Sequence, residues 1–289
     1  MAPSSISSTD RLAPDHRRRD ATGKTQQAFD ALYTMMEKDF TYFYRDYLYN
    51  DDCSDGATDT AAIHGKVTSD DRTKIVDWCY SVVDLSQLNR ENVAIAMNIV
   101  DRFMSNPCQL PSIGISPHFS CQKILHNHNM YQLLAVSALY IAIKINGHGQ
   151  VILSAEKLAA ISQGTYSVEN IEAMERTILS CLSWRVCAPT AFQVGCTILE
   201  LIISQVQEDT RAAMVEISRW ESIREELAFQ TENAVRDYQL AIQFPSTVAF
   251  MAILNAIENV QNMNDGKHNI LMNALLSILV EVKSLTTKE

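Results

Sequence analysis

The chain of 289 residues carries 24 lysines and arginines against 34 aspartates and glutamates, which gives a formal net charge of −10 at pH 7. This balance argues against a protein that binds nucleic acid mainly through electrostatic contacts, because such a surface is basic. Hydrophobic residues make up 47% of the chain and charged residues 20%, an ordinary globular composition that supplies a sizeable core. The length favours two domains of modest size.

The most apolar stretch of the chain, residues 131–143, is shorter than the roughly 20 residues that cross a bilayer and ends at Lys144. We therefore predict a buried helix there and no membrane association. Residues 1–24 have no apolar centre, so no secretory signal is expected. Seven cysteines, an odd number with no Cys-x-x-Cys spacing, favour reduced thiols in the nucleus or the cytoplasm.

The first part of the chain divides into an arm, a helix and a loop. Residues 1–24 are predicted to form a flexible arm, whose basic run at 17–19 is either a solvated tail or a nuclear import signal. Residues 26–49 follow a helical pattern, and an acidic surface loop follows at 50–71. Together they form a segment, residues 25–69, that precedes the first domain.

Helical periodicity continues through the rest of the chain. It is clearest at residues 72–85, at 89–105 with Asn89 as the predicted N-cap, and at 131–146, where the pattern is apolar all round. Ser154 and Ser167 are predicted to cap two further helices. No segment alternates convincingly as a strand, so the predicted fold class is all-α. Beyond Pro189 the helical patterns are at 190–204, 209–222, 224–242, 246–260 and 268–285.

A faint internal repeat suggests that one helical unit occurs twice. Ala135, Ala138 and Ala142 have the same spacing as three alanines at 249, 252 and 256, at an offset of 249 − 135 = 114 residues. Small residues on a buried helix let neighbouring helices approach closely. We therefore interpret the alanines as a packing face present in both copies, although a chance triplet is the alternative.

Several segments resemble the cyclin box. Residues 72–78, Arg-Thr-Lys-Ile-Val-Asp-Trp, are similar to its first helix, and residues 89–105, with Asp-Arg-Phe at 101–103, to its second. Residues 131–144 resemble the third helix, and 166–190 the fifth helix and the Pro-Thr that opens a second cyclin fold. The resemblance implies two tandem cyclin-like five-helix bundles, at 70–188 and 189–289, after an N-terminal helix. Residues 44–48 are also similar to segments that precede the box in divergent algal and diatom cyclins.

The resemblance implies a regulatory subunit rather than an enzyme. A cyclin binds and activates a cyclin-dependent protein kinase in cell-cycle control, and the expected state is a heterodimer with that kinase, without a cofactor. Lys144 and Glu175 match the lysine and glutamate with which the family contacts the kinase. From the residues alone, Lys144 also suits the dipole at the end of its helix, and Glu175 the edge of the core.

Other positions match residues that brace the box internally. The resemblance assigns this role to Arg72 and Asp77, which are five residues apart and too far round a helix to meet. We therefore predict that Asp77 faces Arg102 on the next helix.

The substrate-docking groove of the family is kept only in part. Ile75 and Trp78, with Gln132, retain a degenerate form of it. Asp71 and Lys74 stand where the family has Met and an aliphatic residue, so we do not expect this chain to bind Arg-x-Leu docking peptides. In addition, Ser81 replaces the usual acidic residue, and residues 145–148 replace the acidic pair that follows the lysine.

The long loop at 106–129 carries a group of metal-ligand residue types. Its His-x-x-Cys-x4-His-x-His spacing, at 118, 121, 126 and 128, matches no recognised zinc pattern. We therefore predict an insertion for a specific partner and no metal site, with a zinc site as the alternative.

Two other functions remain open on the sequence. A basal transcription factor also carries tandem cyclin folds, but it needs a basic surface, and the first 50 residues contain no cysteine for a zinc ribbon. A scaffold that keeps the fold without activating a kinase is the second. No phosphate loop, metal-ligand helix or nucleophile elbow indicates an enzyme.

Overall fold

The computed structural model describes residues 13–49, 65–106, 121–147, 153–208, 217–259 and 265–286. Over these residues the regular structure is helical and contains no strand, which confirms the all-α prediction. None of the described helices is long and apolar enough to span a bilayer. The helices are α1 (Ala13–Thr41), α2 (Ser69–Leu85), α3 (Glu91–Ser105), α4 (Cys121–Leu125), α5 (His128–Asn146), α6 (Ala155–Ile161), α7 (Val168–Cys181), α8 (Ala191–Glu208), α9 (Ile217–Arg236), α10 (Tyr238–Ala241), α11 (Pro245–Asn259) and α12 (Asp265–Thr286).

Side chains that satisfy free backbone N–H groups fix where several helices begin. Ser154 and Ser167 accept hydrogen bonds from the first turns of α6 and α7, as predicted. Thr68 and Asp71 form a capping box at the start of α2. The N-cap of α3 is Arg90 rather than Asn89, although the Asn89 side chain still accepts from the Glu91 N–H at 2.9 Å.

The first of two apolar cores is built around α5, which packs against α3 and α7. The alanines at 135, 138 and 142 are each no more than 1% exposed. Buried residues of this core run from Tyr47 to Val186, with Tyr238 as the one contribution from farther along the chain among the described residues. The prediction that α5 is a central helix is confirmed by this burial.

The second core lies around α11, which packs against α8 and α9. Its alanines at 249, 252 and 256 are buried like those of α5, so both copies of the repeated pattern form the inner face of a central helix. Phe29 and Leu32 of α1 belong to this core, and α1 packs against α8 and α11. The N-terminal helix therefore packs on the C-terminal half of the chain.

Several helix boundaries differ from the sequence prediction. α1 begins at Ala13, inside the predicted arm, and ends at Thr41, whereas the sequence pattern extended to residue 49. Residues 42–49 are not helical, because the Asp46 carboxylate accepts from the N–H groups of Leu48 and Tyr49, each at 3.0 Å, and turns the chain. The predicted helices at 209–222 and 224–242 are replaced by α9 and the short α10, and residues 209–216 lie outside the described part.

Candidate functional site: an ion pair at the edge of the first core

Lys144 and Glu175, the two predicted kinase-contacting residues, form an ion pair with each other. Lys144 lies in the last turn of α5, and its Nζ donates to Glu175 Oε1 of α7 at 2.6 Å. The lysine side chain is 44% exposed and the glutamate side chain 12%. The two helices are held in register by Ser137, whose hydroxyl donates to the Ile171 carbonyl of α7.

The surface around this pair is apolar. Lys144 Nζ lies 4.6 Å from the ring centroid of Tyr140. Tyr140, Ile145 and Leu179 are partly buried and pack on the first core. An exposed ammonium and a mostly buried carboxylate therefore lie together at the border of an apolar face, where a partner protein would desolvate both.

A second pair, Arg72 with Asp101, is buried in the interior. The guanidinium donates to both carboxylate oxygens, Nε to Oδ1 at 3.0 Å and Nη2 to Oδ2 at 2.7 Å. Both side chains are 1% exposed. Burial alone would lower the pKa of the Arg72 guanidinium, but the Asp101 carboxylate raises that pKa well above its usual value. The sequence did not predict Asp101 as the partner of Arg72.

Tyrosines from the segment after α1 complete the bonds to Asp101. The Tyr47 hydroxyl donates to Asp101 Oδ1 at 2.9 Å and lies 3.0 Å from the Tyr131 hydroxyl of α5. The Tyr44 hydroxyl donates to Asp101 Oδ2 at 3.2 Å. Burial, followed by the charge of Asp101, raises the pKa of Tyr47 well above its usual value, so the phenol stays neutral.

The same pair reaches the second half of the chain. Arg72 Nη1 donates to the Val235 carbonyl of α9 at 2.7 Å, and the guanidinium lies 5.5 Å from the Tyr238 ring centroid. Tyr238 in turn donates to Asp46 and accepts from the Tyr47 N–H, both at 3.0 Å. A single buried ion pair therefore connects the segment after α1, the first bundle and α9.

The predicted contact between Asp77 and Arg102 is wrong. Asp77 lies on the side of α2 that faces α9, and Arg236 Nε donates to its carboxylate at 2.8 Å. Arg102 of α3 has other partners. It donates to the Arg185 carbonyl at 2.6 Å, and its guanidinium stacks over the Tyr42 ring. Burial lowers the pKa of Arg102 to about 10. All three bracing residues are in structural contacts, but each has a different partner.

A stacked cluster on α2, α3 and α9 also joins the two halves. The Tyr80 ring lies between two guanidinium groups, with Arg90 at 4.5 Å and Arg236 at 4.4 Å from its centroid. Arg90 also makes two hydrogen bonds to the Glu232 carboxylate, at 2.8 and 2.7 Å, and pairs with Asp84. This cluster was not singled out in the sequence, because its members are far apart along the chain.

The residues of the predicted docking groove belong to α2 and α5, whose first turns meet in a polar contact. Ile75 and Trp78 of α2 are partly buried against the first core, and Gln132 of α5 accepts a hydrogen bond from Tyr166. Asp71 Oδ2 lies 3.1 Å from His128 Nε2, so a carboxylate and an imidazole join the beginnings of α2 and α5.

Asp71 is held in its charged form. Burial alone would raise the pKa of its carboxyl, but hydrogen bonds from the Thr68 side chain and backbone, then from His128 and Lys74, lower that pKa to about 2. A negative charge is therefore fixed at this position of α2.

The zinc alternative gains no support from the residues that can be described. No group of three or more metal-ligand side chains occurs within the described ranges, and Cys108 and His118 lie outside them. The Cys121 thiol donates to the Phe103 and Asn106 carbonyls. Cys79, Cys187 and Cys196 are reduced thiols, as expected, whereas Cys181, at the end of α7, is disulfide-bonded.

Comparison with known proteins identifies the first bundle. The family model described as "Cyclin, N-terminal domain" matches residues 46–187, a range that contains the Lys144–Glu175 pair, the Arg72–Asp101 pair and the whole of the first core except Tyr238.

Curated relatives and a solved structure are similar to between 45% and 75% of the chain. Cyclin-A3-3 of Arabidopsis thaliana is 26% identical over 67% of this chain and 50% of its own length, and cyclin-G1 of Bos taurus is 29% identical over 45% and 39%. The chain thus spans half or less of these relatives' lengths. A viral cyclin of herpesvirus saimiri has the same fold, with a TM-score of 0.52, 16% identity and coverage of 75% of this chain and 86% of its own. Residues 46–187 therefore form a domain of the cyclin family.

Proposed function

We propose that this chain is a regulatory subunit that binds and activates a cyclin-dependent serine/threonine protein kinase. The observation that carries the proposal is the Lys144–Glu175 ion pair at the exposed border of an apolar face on α5 and α7. Both residues lie within the matched cyclin domain. The proposed assembly is a heterodimer with the kinase, with a role in cell-cycle control in the nucleus, the cytoplasm or both.

The mechanism is a shift of the kinase toward its active conformation. A protein kinase is active only when a glutamate on a helix of its small lobe pairs with the phosphate-binding lysine. A rigid helical surface that binds this inward position more tightly than the outward one stabilises the active state. The rigidity of α5 in the first core suits it to present Lys144 and Glu175 without rearrangement.

Alanine variants of the pair test the binding step. We expect Lys144→Ala and Glu175→Ala each to weaken binding of a cyclin-dependent kinase from the same organism by about 2 kcal/mol, roughly 30-fold, because each leaves a desolvated charge unpaired in the complex. The measurement is the Kd of the purified chain for the kinase.

The control is Arg176→Ala on α7, the helix of Glu175. The Arg176 side chain is 70% exposed and pairs with Glu172 at 3.8 Å. Its Kd should equal that of the unmodified chain. Unchanged kinase binding by both pair variants would contradict the assignment.

A scaffold that binds a kinase without activating it is the second candidate. It is favoured by the fixed charge of Asp71 at the docking groove and by the neutral residues Ile145, Asn146 and Gly147 after the lysine. Phosphorylation of a histone substrate by the kinase, with and without the chain, separates the two functions. Activation supports the leading proposal, and binding without activation supports the scaffold.

A further inference from the structure

A small cleft lies where the end of α1, the connection between α7 and α8, and the turn before α11 meet. It has a volume of about 30 Å³, which is room for a group of the size of one water molecule or one ammonium. The cleft is separate from the Lys144–Glu175 pair, so ligand binding in it is independent of the proposed function. The cleft is lined among others by Asp39, Tyr42, Phe43, Asn98, Pro189 and Phe244.

Two side-chain oxygens of residues in this lining have no hydrogen-bond partner among the described residues. Asp39 is 4% exposed, and while its Oδ2 accepts from the Ser246 N–H at 3.2 Å, its Oδ1 accepts from no donor. The Oδ1 of Asn98 is buried and unpartnered in the same way. A buried acceptor without a donor is costly, and two of them at one cleft call for a donor from outside the fold.

Asp39 is the one carboxyl group among the residues that line the cleft. Burial raises the pKa of this carboxyl, and the hydrogen bonds from Ser246 at the start of α11 offset only part of that rise. Because the N-terminus of α11 already stabilises Oδ2, the unpartnered Oδ1 is the atom that a second positive group would reach. A donor that also carries positive charge would satisfy this oxygen and offset its desolvation.

The rim of the cleft is aromatic. Phe43 is 52% exposed and its ring centroid lies 5.1 Å from that of Phe244; Phe40, at the same distance from Phe244, is 77% exposed. Aromatic faces attract cations and pack against alkyl chains. This rim therefore favours an organic cation on an apolar stem over a hydrated metal ion.

We propose that this cleft binds a primary ammonium group on a short alkyl stem, as presented by a lysine side chain of a partner protein. The ammonium donates to Asp39 Oδ1 and Asn98 Oδ1, and the stem packs against Phe43 and Phe244. The small volume admits the three N–H donors of an ammonium and excludes the larger guanidinium of arginine.

The test uses n-butylammonium, which has the four-carbon stem and head group of a lysine side chain, added to the isotope-labelled full chain. We expect saturable NMR shifts of the backbone amides of residues 39–44, 241–244 and 246. Neutral n-butanol should shift them far less. Asp39→Asn keeps an acceptor for the Ser246 N–H but removes the charge, so it should weaken n-butylammonium binding at least tenfold.

Controls separate a specific site from general attraction to an acidic protein. Asp30→Asn changes an exposed aspartate on the same helix and should leave the affinity unchanged. If Asp39→Asn does not fold, Phe43→Ala on the exposed rim should still weaken binding severalfold. The proposal is overturned if n-butylammonium produces no saturable shifts, if n-butanol binds as well, or if a carbon-13 titration finds Asp39 uncharged at pH 7.

Discussion

Arg72 and Asp101 form a buried contact to which the hydroxyls of Tyr44 and Tyr47 also bond. Each side chain is 1% exposed, and the carboxylate accepts from Arg72, Tyr44 and Tyr47 together. Within the protein interior, a charge that loses its partner keeps its desolvation cost without compensation. The pair therefore contributes more to the stability of the fold than the distance between its nitrogen and oxygen atoms suggests, because four donor atoms converge on the Asp101 carboxylate.

We predict that Asp101→Asn lowers the free energy of unfolding by about 3 kcal/mol or more, since it leaves the Arg72 guanidinium buried and without a counter-charge. Urea unfolding measures this difference. The control is Asp84→Asn, which removes a carboxylate that is 51% exposed from its pair with Arg90 and should cost less than about 1 kcal/mol. Equal losses in the two variants would contradict a special role for the buried pair.

At the residue scale the sequence predicts identities better than partners. Lys144 stands out as a charge at the end of an apolar helix pattern, whereas Arg72 is identified by its match to the cyclin box. The partner of Arg72 is not predictable from helix geometry, because it depends on which face α3 turns toward α2. The sequence nevertheless indicates that Asp101 is buried, because it lies within one helical turn of the apolar residues Met97, Val100 and Met104, which are buried in α3.

The first turn of α2 combines a helix cap with a contact to a neighbouring helix. The Thr68 N–H donates to the Asp71 carboxylate at 3.1 Å, the Asp71 N–H donates to the Thr68 hydroxyl at 3.2 Å, and His128 brings in α5. A negative charge at a helix N-terminus is favoured by the helix dipole. This turn both starts the helix and positions it on α5.

We predict that Asp71→Asn lowers the free energy of unfolding by about 1 kcal/mol at pH 7. Because the folded pKa of Asp71 is lowered to about 2 and that of an unfolded aspartate is about 3.9, its stabilising charge is fully present above pH 4. It is lost as the pH falls toward 2. We therefore expect the difference in the free energy of unfolding between wild type and variant, measured from pH 7 to pH 3, to become smaller below pH 4.

The control is Asp70→Asn, a change of the exposed aspartate beside it in the same turn. This variant retains the Thr68, His128 and Lys74 contacts of Asp71, so it should cost less. A gap for Asp71→Asn that stays constant down to pH 3 would contradict the assigned titration.

At the element scale, the sequence predicts the features that depend on residues close together in the chain. The caps of α6 and α7 depend on residues within three positions of each other, and the alanine faces of α5 and α11 on spacings of three and four. The end of α1 is different: in addition to the local turn at Asp46, residues 42–49 are held away from the helix by the bonds of Tyr44 and Tyr47 to the distant Asp101. Tertiary contacts of this kind override a local helical pattern.

Over the whole molecule, two cores are joined by polar contacts rather than by a continuous apolar interior. α1 packs on the second core, while Tyr47 and Leu48, just after it, belong to the first. The Tyr80 stack with Arg90 and Arg236 adds a second connection. The rest of the chain therefore positions the first bundle. Within the described ranges, the main helix contacts of α5 and α7 are with each other and with α2, α3, α4 and α6.

The Lys144–Glu175 pair has two roles that ordinary substitutions do not separate. It joins α5 to α7 within the chain, and it is proposed to contact a kinase. Because the two side chains exchange one charge for the other at the edge of the core, where the lysine is 44% and the glutamate 12% exposed, reversing both charges together should keep the internal contact. A partner would then meet a reversed charge at each position.

Kinase affinity of the Lys144→Glu, Glu175→Lys double variant is the most direct measurement of the central claim. We predict a free energy of unfolding within about 1 kcal/mol of wild type and a Kd for the cyclin-dependent kinase raised at least roughly 30-fold. The matched control, Glu172→Arg with Arg176→Glu, reverses an exposed pair on α7 and should leave the Kd unchanged. A stable double variant that binds and activates the kinase as wild type does would contradict the proposed function of this surface.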